Sequence, residues 1–427
     1  MVASPRVPET RPCRRRRETA RQRLGPGARR TLTTRVGPTG AARWLAVSLV
    51  AALLLASCSG QSVRTAAPAP ASPSPAASAG GVVGEPPGAA SGAPTTTPSP
   101  TPVPLVPAPT DGVLESPAAA ERPVIAVMID DAPAARPQSG LAEADILFQA
   151  PAEGGIPRYM ALYQSGVAPS IGPIRSSRLY FVGWAAAWNP LYAHVGGAPN
   201  ALAALDAMNG TSIWNADEFR WAAYMPRITT RVAPHNVYSS SQQLDDLAAR
   251  LGVPPAPSPA WTFVDPAPPA ARPAGGSLVV PYPAGVISYA YDPSTDRYLR
   301  SVDGAPEIDP GTGARVAPYD VVVVYVQVGP LLNAPGQATN QAKGRLEIGY
   351  TGSGQALVLR DGIAIEARWN KASDTAPLLL TQAAGPNAGA PIPLVRGQIA
   401  IQVVPIGTPV TLSVQPRMAP GSRSTPA

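Results

Sequence analysis

A mixed α/β or α+β unit followed by a mainly-β sandwich or barrel, both carried on a structureless stalk rich in Pro, Ala and Ser, is the fold class that the sequence predicts. Three observations predict it. Between residues 122 and 252, apolar runs of strand length alternate with segments whose apolar residues recur at helical spacing. Between 274 and 415 the runs are short, β-branched or aromatic, and separated by Gly, Pro, Asn or Asp, which is the pattern of an all-β unit. From Ser59 to about Glu121 nearly every residue is Ala, Pro, Ser, Thr or Gly, too little apolar bulk to bury a core.

The chain opens with a leader, residues 1–57. Its apolar run from Trp44 to Ala56 follows Arg43 and has the length of an export-signal core, roughly 7 to 15 residues. It is shorter than the roughly 20 residues of a membrane-spanning helix, so cleavage is expected rather than spanning. The next residues, Leu55-Ala56-Ser57-Cys58, resemble the lipobox of bacterial lipoproteins. That resemblance implies that Cys58 is diacylated and becomes the mature N-terminus, and two acyl chains suffice for stable membrane attachment. The basic region before Trp44 is long, and Arg29-Arg30-Thr31-Leu32 resembles a twin-arginine export motif; a start site set too far upstream explains the length more simply.

Splitting the charge by segment removes an otherwise misleading signal. The leader holds twelve arginines against two glutamates, a contribution of +10 to a whole-chain charge of +7, so the remainder is near −3. The pI near 9.6 therefore gives no ground for a nucleic-acid partner. The only cysteines are Cys13, in the leader, and Cys58, which leaves no disulfide or thiolate metal site, and no cofactor is implied.

The stalk, residues 58–121, would reach roughly 45 Å as a coil and about 190 Å as polyproline II. In the first folded unit, 122–252, strands are expected at Pro123–Ile129, Ile146–Ala150 and Tyr159–Tyr163. A helix is expected after Ser177, where Leu179, Val182, Ala186 and Trp188 recur, and another from Ser240 to Leu251, capped by serine and stopped by Gly252. A Pro-rich connector, 253–273, leads to the β unit, 274–415. Its strands are expected at Val286–Tyr291, Val321–Val326, Leu346–Tyr350, Ala356–Leu359, Ile363–Trp369 and Ile399–Val404, and the piece from Gly275 to Pro416 is expected to fold alone. The tail, 416–427, is expected to be disordered.

Polar residues in the first unit gather beside turn glycines: Arg136, Glu153, Arg158, Arg175, Arg178, His194, His235 and Asn236 form the candidate site. Arginine offers a planar fork of donors that suits phosphate or carboxylate, so the cluster could bind an anion. The plainer alternative is that Asp130, Asp145 and Glu153 pair with these arginines inside the fold. His194 and His235, the only histidines, could serve as base or ligand, but with Asp130, Asp131 or Glu153 they match no metal-binding spacing, and no metal site is expected. Ser176 and Ser177 lack a GxSxG turn. Tyr282, Tyr289, Tyr291, Tyr298 and Trp369 could stack on sugars, though strand cores use the same residues.

Taken together, Ala135-Arg136-Pro137-Gln138-Ser139-Gly140-Leu141, Ala144-Asp145-Ile146, Glu153-Gly154-Gly155, Ile171-Gly172-Pro173-Ile174-Arg175-Ser176, His194–Gly197 and Pro234-His235-Asn236 resemble the YerB-like bacterial lipoproteins. Looser likeness continues at Trp369-Asn370-Lys371 and Ile401–Pro405, so that most of residues 122–412 is covered. The resemblance implies a pair of domains of unknown function and a lipoprotein address, without a reaction or a catalytic residue. The chain departs from the family's usual pattern at Asp131, where asparagine is common, at Gln149, where glutamate is common, and at Pro157, where Thr or Ser is usual.

The combined reading is a membrane-anchored, extracytoplasmic binding or assembly module for an anionic ligand or wall glycan. The rivals are an envelope phosphoryl or glycosyl transferase or hydrolase using Arg175, Arg178 and Glu153 with His194, and a scaffold that docks an envelope protein partner. If Cys58 carries the lipid, Cys58→Ala releases the protein from the membrane fraction and abolishes labelling by a fatty-acid analogue. Unchanged membrane retention with no label in the parent would remove the lipid anchor.

Overall fold

The computed structural model describes residues 103–333 and 339–413. The leader, Cys58, the stalk up to residue 102 and the tail 416–427 lie outside the described residues. As the sequence predicts, a mixed α/β region is followed by a mostly-β region.

The elements that build the core are, in chain order, β1 (Ile125–Asp130), β2 (Ile146–Pro151), β3 (Pro157–Tyr163), α1 (Leu179–Ala185), β4 (Leu191–His194), α2 (Pro199–Met208), β5 (Trp214–Asp217) and α3 (Ser241–Leu251). They continue with β6 (Ser277–Tyr282), β7 (Gly285–Asp292), β8 (Arg297–Val302), β9 (Asp320–Val326), β10 (Gly352–Arg360), β11 (Ile363–Lys371), β12 (Leu379–Gln382) and β13 (Ile399–Pro405). A ten-stranded sheet in the order β12-β11-β10-β9-β13-β2-β3-β1-β4-β5 runs through both regions. The seam is β13, parallel to β9 on one side and to β2 on the other, with Ile401 opposite Val322 and Phe148. A five-stranded antiparallel sheet built on β6, β7 and β8 covers the β half.

Burial on both faces explains the mainly apolar runs of β1, β2 and β3. Met128, Phe148, Met160, Val322 and Ile401 point to the face covered by α1 and α2, where the Phe148 ring stacks on Trp184 at 5.4 Å. On the opposite face, Val127, Leu147 and Ala161 meet Leu244 and Leu247 of α3, while Val321, Val323 and Ala400 meet Tyr289 and Tyr298 of the second sheet. Ser240 Oγ accepts from Gln243 N at 3.2 Å at the start of α3, and Gly252 ends it at φ 65°. Gly183 of α1 lets the Tyr350 ring lie directly on the helix, where any side chain would collide with it.

Three expectations are corrected. The stalk does not run to Glu121: Val106–Pro107 pairs with Leu114–Glu115, and Ser116 caps the helical turn Pro117–Ala120. This stretch is fixed by buried Thr110 and Asp111 rather than by apolar bulk, which is why composition hides it. The connector is partly built into the core, since Trp261 lies against Trp188 and donates from Nε1 to Leu378 O at 2.7 Å, and Phe263–Val264 pairs with Leu394–Val395. Nor is the β half self-contained. Without the N-terminal half, β13 would lose β2 and present an open, apolar edge.

Asp145 accepts from Thr110 Oγ1 at 2.7 Å and from the N–H groups of Gln164, Ser165 and Gly166 at 2.6, 3.1 and 2.7 Å. Ser165 Oγ lies 2.8 Å from Asp111 Oδ2 and 3.0 Å from Asp145 Oδ1. One hydroxyl hydrogen serves two carboxyls, so the pair is best satisfied when Asp111 holds a proton. Burial, and then the Asp145 charge, push the Asp111 carboxyl from 3.8 up to about 7. A folded pKa above the unfolded one means that the folded state binds the extra proton, so this contribution is full below about 4 and is lost as pH rises to about 7. Asp111→Asn should therefore flatten the decline in unfolding free energy between about pH 4 and pH 7. Parallel denaturation profiles for parent and variant would show that Asp111 does not titrate in that range.

Candidate anion-binding cleft

Asp130, the last residue of β1, faces Arg158 of β3 across the antiparallel ladder. The turn after β2, where Gly154 and Gly155 take φ values of 69° and 73°, presents Glu153 beside them. The segment from Ile171 to Ser177 is held against Ile129 and Gly197 by isolated bridges, which brings Arg175, Ser176 and Arg178 to the same place. These residues line a cleft of about 410 Å³ whose remaining wall comes from the β half: Lys343 and Arg345, on the connection between the short paired strands Val328–Pro330 and Leu346–Ile348.

The ion pairs inside the cleft divide its cations into two groups. Arg178 is engaged as a fork, with Nε and Nη2 each 2.6 Å from an oxygen of Glu153. Arg175 Nε donates to Asp130 Oδ2 at 2.9 Å, and His235 Nδ1 lies 2.8 Å from the same oxygen. Arg158, Lys343 and Arg345 have no carboxylate in ion-pair contact among the described residues. Arg158 is 8% exposed; its Nη1 donates to Ser176 O at 3.0 Å and its Nε has no partner. Arg345 donates to Asn340 Oδ1 at 2.9 Å, and Lys343 is exposed.

Electrostatics reflect the same division. Burial alone would raise the Asp130 carboxyl, but the Arg158 and Arg175 charges outweigh it and hold the group below its ordinary value. Burial likewise works against Glu153, and the Arg178 fork overcomes it. Arg158 is pulled down to about 10, first by burial and then by the Arg178 charge, yet stays protonated at neutral pH. Among the described residues, five cations against two carboxylates leave the cleft with a surplus of three positive charges.

The cleft gathers Glu153, Arg158, Arg175 and Arg178 from the candidate set and touches His235 through Asp130. The others lie elsewhere. Arg136 pairs with Asp131 and Asp303, and Asn236 accepts from Arg227 at an exposed position. His194 is fully buried, its nitrogens 2.8 Å from Gly196 O and Asn215 Oδ1, so the grouping of His194 with Arg175 and Glu153 is not assembled. Tyr282, Tyr289, Tyr291, Tyr298 and Trp369 are buried in the β core rather than displayed as a stacking face. Among the described residues no three His, Cys, Asp or Glu side chains gather as metal ligands. Lys343 and Arg345 were not singled out from sequence, although Lys343 is one of only two lysines in the chain.

Residues 110–253 match the N-terminal domain, and residues 278–401 the C-terminal domain, of the family described as "Protein of unknown function (DUF3048)". The YerB protein of Bacillus subtilis (strain 168), which bears a lipoprotein name, is 29% identical over 316 residues, spanning 70% of this chain and 86% of YerB. The crystal structure of YerB protein from Bacillus subtilis aligns with a TM-score of 0.61 at 26% identity, covering 72% of this chain and 99% of that one. Fold and cleft together define a two-region protein whose halves share one sheet and one basic pocket. The chain belongs to the YerB-like family.

Two of the positions singled out by the resemblance, Asp131 and Gln149, are in direct contact. Gln149 Nε2 donates to Asp131 Oδ2 at 2.7 Å, which joins a carboxamide and a carboxylate by a single hydrogen bond. Asp131 also accepts from Arg136 and Gln138, and Gln149 Oε1 accepts from Arg300 at 2.8 Å. Asp131→Asn alone removes the carboxylate between Arg136 and Arg300, and Gln149→Glu alone sets two buried carboxylates together. Each single change should destabilise, and the double change should recover most of the loss, with a coupling of about 0.5 to 3 kcal/mol in denaturant titrations. Simple additivity would show that the two positions do not act as a unit.

Proposed function

We propose that the protein is a lipid-anchored, extracytoplasmic envelope module that holds an anionic ligand in the cleft between its two halves. The observation that carries this reading is the trio of Arg158, Lys343 and Arg345, which share one cavity without carboxylate partners, one of them buried with a free donor. Desolvating an unpaired guanidinium is costly, and an anion would relieve that cost. The lipoprotein name of its Bacillus subtilis relative and the Leu55-Ala56-Ser57-Cys58 run support attachment through Cys58. No described helix is long and apolar enough to cross a membrane. Among the described residues nothing aromatic lines the cleft, which favours a charged ligand over a stacked sugar.

Inorganic phosphate is the simplest probe. It should raise the melting temperature of the parent in a salt-sensitive manner. Arg158→Met should abolish that shift while Asp130 keeps Arg175 and His235, whereas Arg178→Met should strand Glu153 and cost more stability, by less than the about 3 to 5 kcal/mol of a fully buried pair. A parent protein indifferent to both phosphate and sulfate would overturn the reading.

A further inference from the structure

We infer, on the premise that the cleft is an anion site, that its ligand presents two linked phosphates, a diphosphate, with one phosphate held by the sheet and the other by the β half. The sheet side supplies Arg158 and the unengaged face of Arg175 next to Ser176; the opposite wall supplies Lys343 and Arg345. Two cation groups of separate origin face one cavity, and each can take one phosphate. Arg178 plays a different part: both arms of its fork toward Glu153 are filled, so it fixes the wall instead of meeting the ligand.

Charge and size point the same way. With Arg175 offset by Asp130 and Arg178 by Glu153, three cations remain unbalanced. A phosphodiester brings about one negative charge and a phosphomonoester about two, whereas a diphosphate ester supplies one more and matches the surplus. The cavity of about 410 Å³ is far larger than a lone phosphate. Among the described residues its only apolar side chains are Ala132 and Ile156, so it recognises a charged head while the rest of the ligand stays outside. Both a lipid-borne diphosphate at the membrane surface and a soluble nucleoside diphosphate carry this chemistry.

Calorimetric titration of the full chain decides the matter, with inorganic phosphate, inorganic pyrophosphate and citrate as probes at constant ionic strength. Pyrophosphate should bind at least about tenfold more tightly than phosphate and more tightly than citrate, which carries comparable charge on carboxylates. The double variant Lys343→Gln/Arg345→Gln should reduce this preference to below about threefold, weakening pyrophosphate far more than phosphate. Equal affinities for phosphate and pyrophosphate, citrate binding as tightly as pyrophosphate, or a preference that survives the double variant would each overturn the diphosphate inference and leave the anion site standing. Failure of all three probes to bind would remove the anion site itself. Uridine diphosphate in solution and farnesyl diphosphate in phosphatidylcholine vesicles then separate the sources: tighter binding of the first assigns a soluble ligand, and of the second a lipid-borne one.

Discussion

A guanidinium shut between two sheets sets the terms for the rest of this structure. Arg300, 1% exposed, pairs with Glu307 and donates to Gln149 Oε1 at 2.8 Å, Tyr159 Oη at 2.6 Å and Tyr289 Oη at 3.2 Å. Burial loosens its hold on the proton, and the surrounding tyrosines and Asp131 more than restore it. Gln149 and Tyr159 belong to the N-terminal half, Tyr289 and Glu307 to the β half, so the charge is satisfied only while both halves are in place. A buried charge left with half its partners is among the most costly states a protein interior can adopt. The two family domains are in this sense one folding unit, joined by β13 along the sheet and by Arg300 across it.

That joint is also what makes the cleft two-sided. The strand pairing that sets Asp130 opposite Arg158 fixes one wall, and the turn carrying Glu153 fixes the orientation of Arg178. The opposite wall belongs to the β half and keeps its position because the shared sheet does. Neutralised and unbalanced cations lie side by side: the neutralised ones, Arg175 and Arg178, give shape, and the others give charge.

Local physics made much of this legible. Strands buried on both faces read as apolar runs, and α3 announced itself through Ser240, its leucine spacing and Gly252. Arg158, Arg175, Arg178 and Glu153 stood out because charged residues beside turn glycines at strand ends are seldom there for packing. The parallel pairing of β13 with β2 leaves no trace in either segment, since each would look the same in a separate sheet, and so the β half read as independent. Which arginines are free was equally hidden, because that depends on the reach of Asp130 and Glu153 in space. Arg345 and Lys343 sit in a polar connection that resembles any surface loop until the fold carries it to the cleft.

The place of β13 has a consequence for how the molecule is made. The strand that fills the middle of the ten-stranded sheet is the last core strand in the chain, and β2 and β9 on either side of it are synthesised earlier. Until Ile399–Pro405 arrives, both neighbours hold unpaired backbone edges flanked by apolar side chains, and Arg300 lies in an incomplete interior. Completion of the core is thereby postponed to the end of chain synthesis. The order of the strands along the chain, more than any single contact, thus sets when the molecule can commit to its fold.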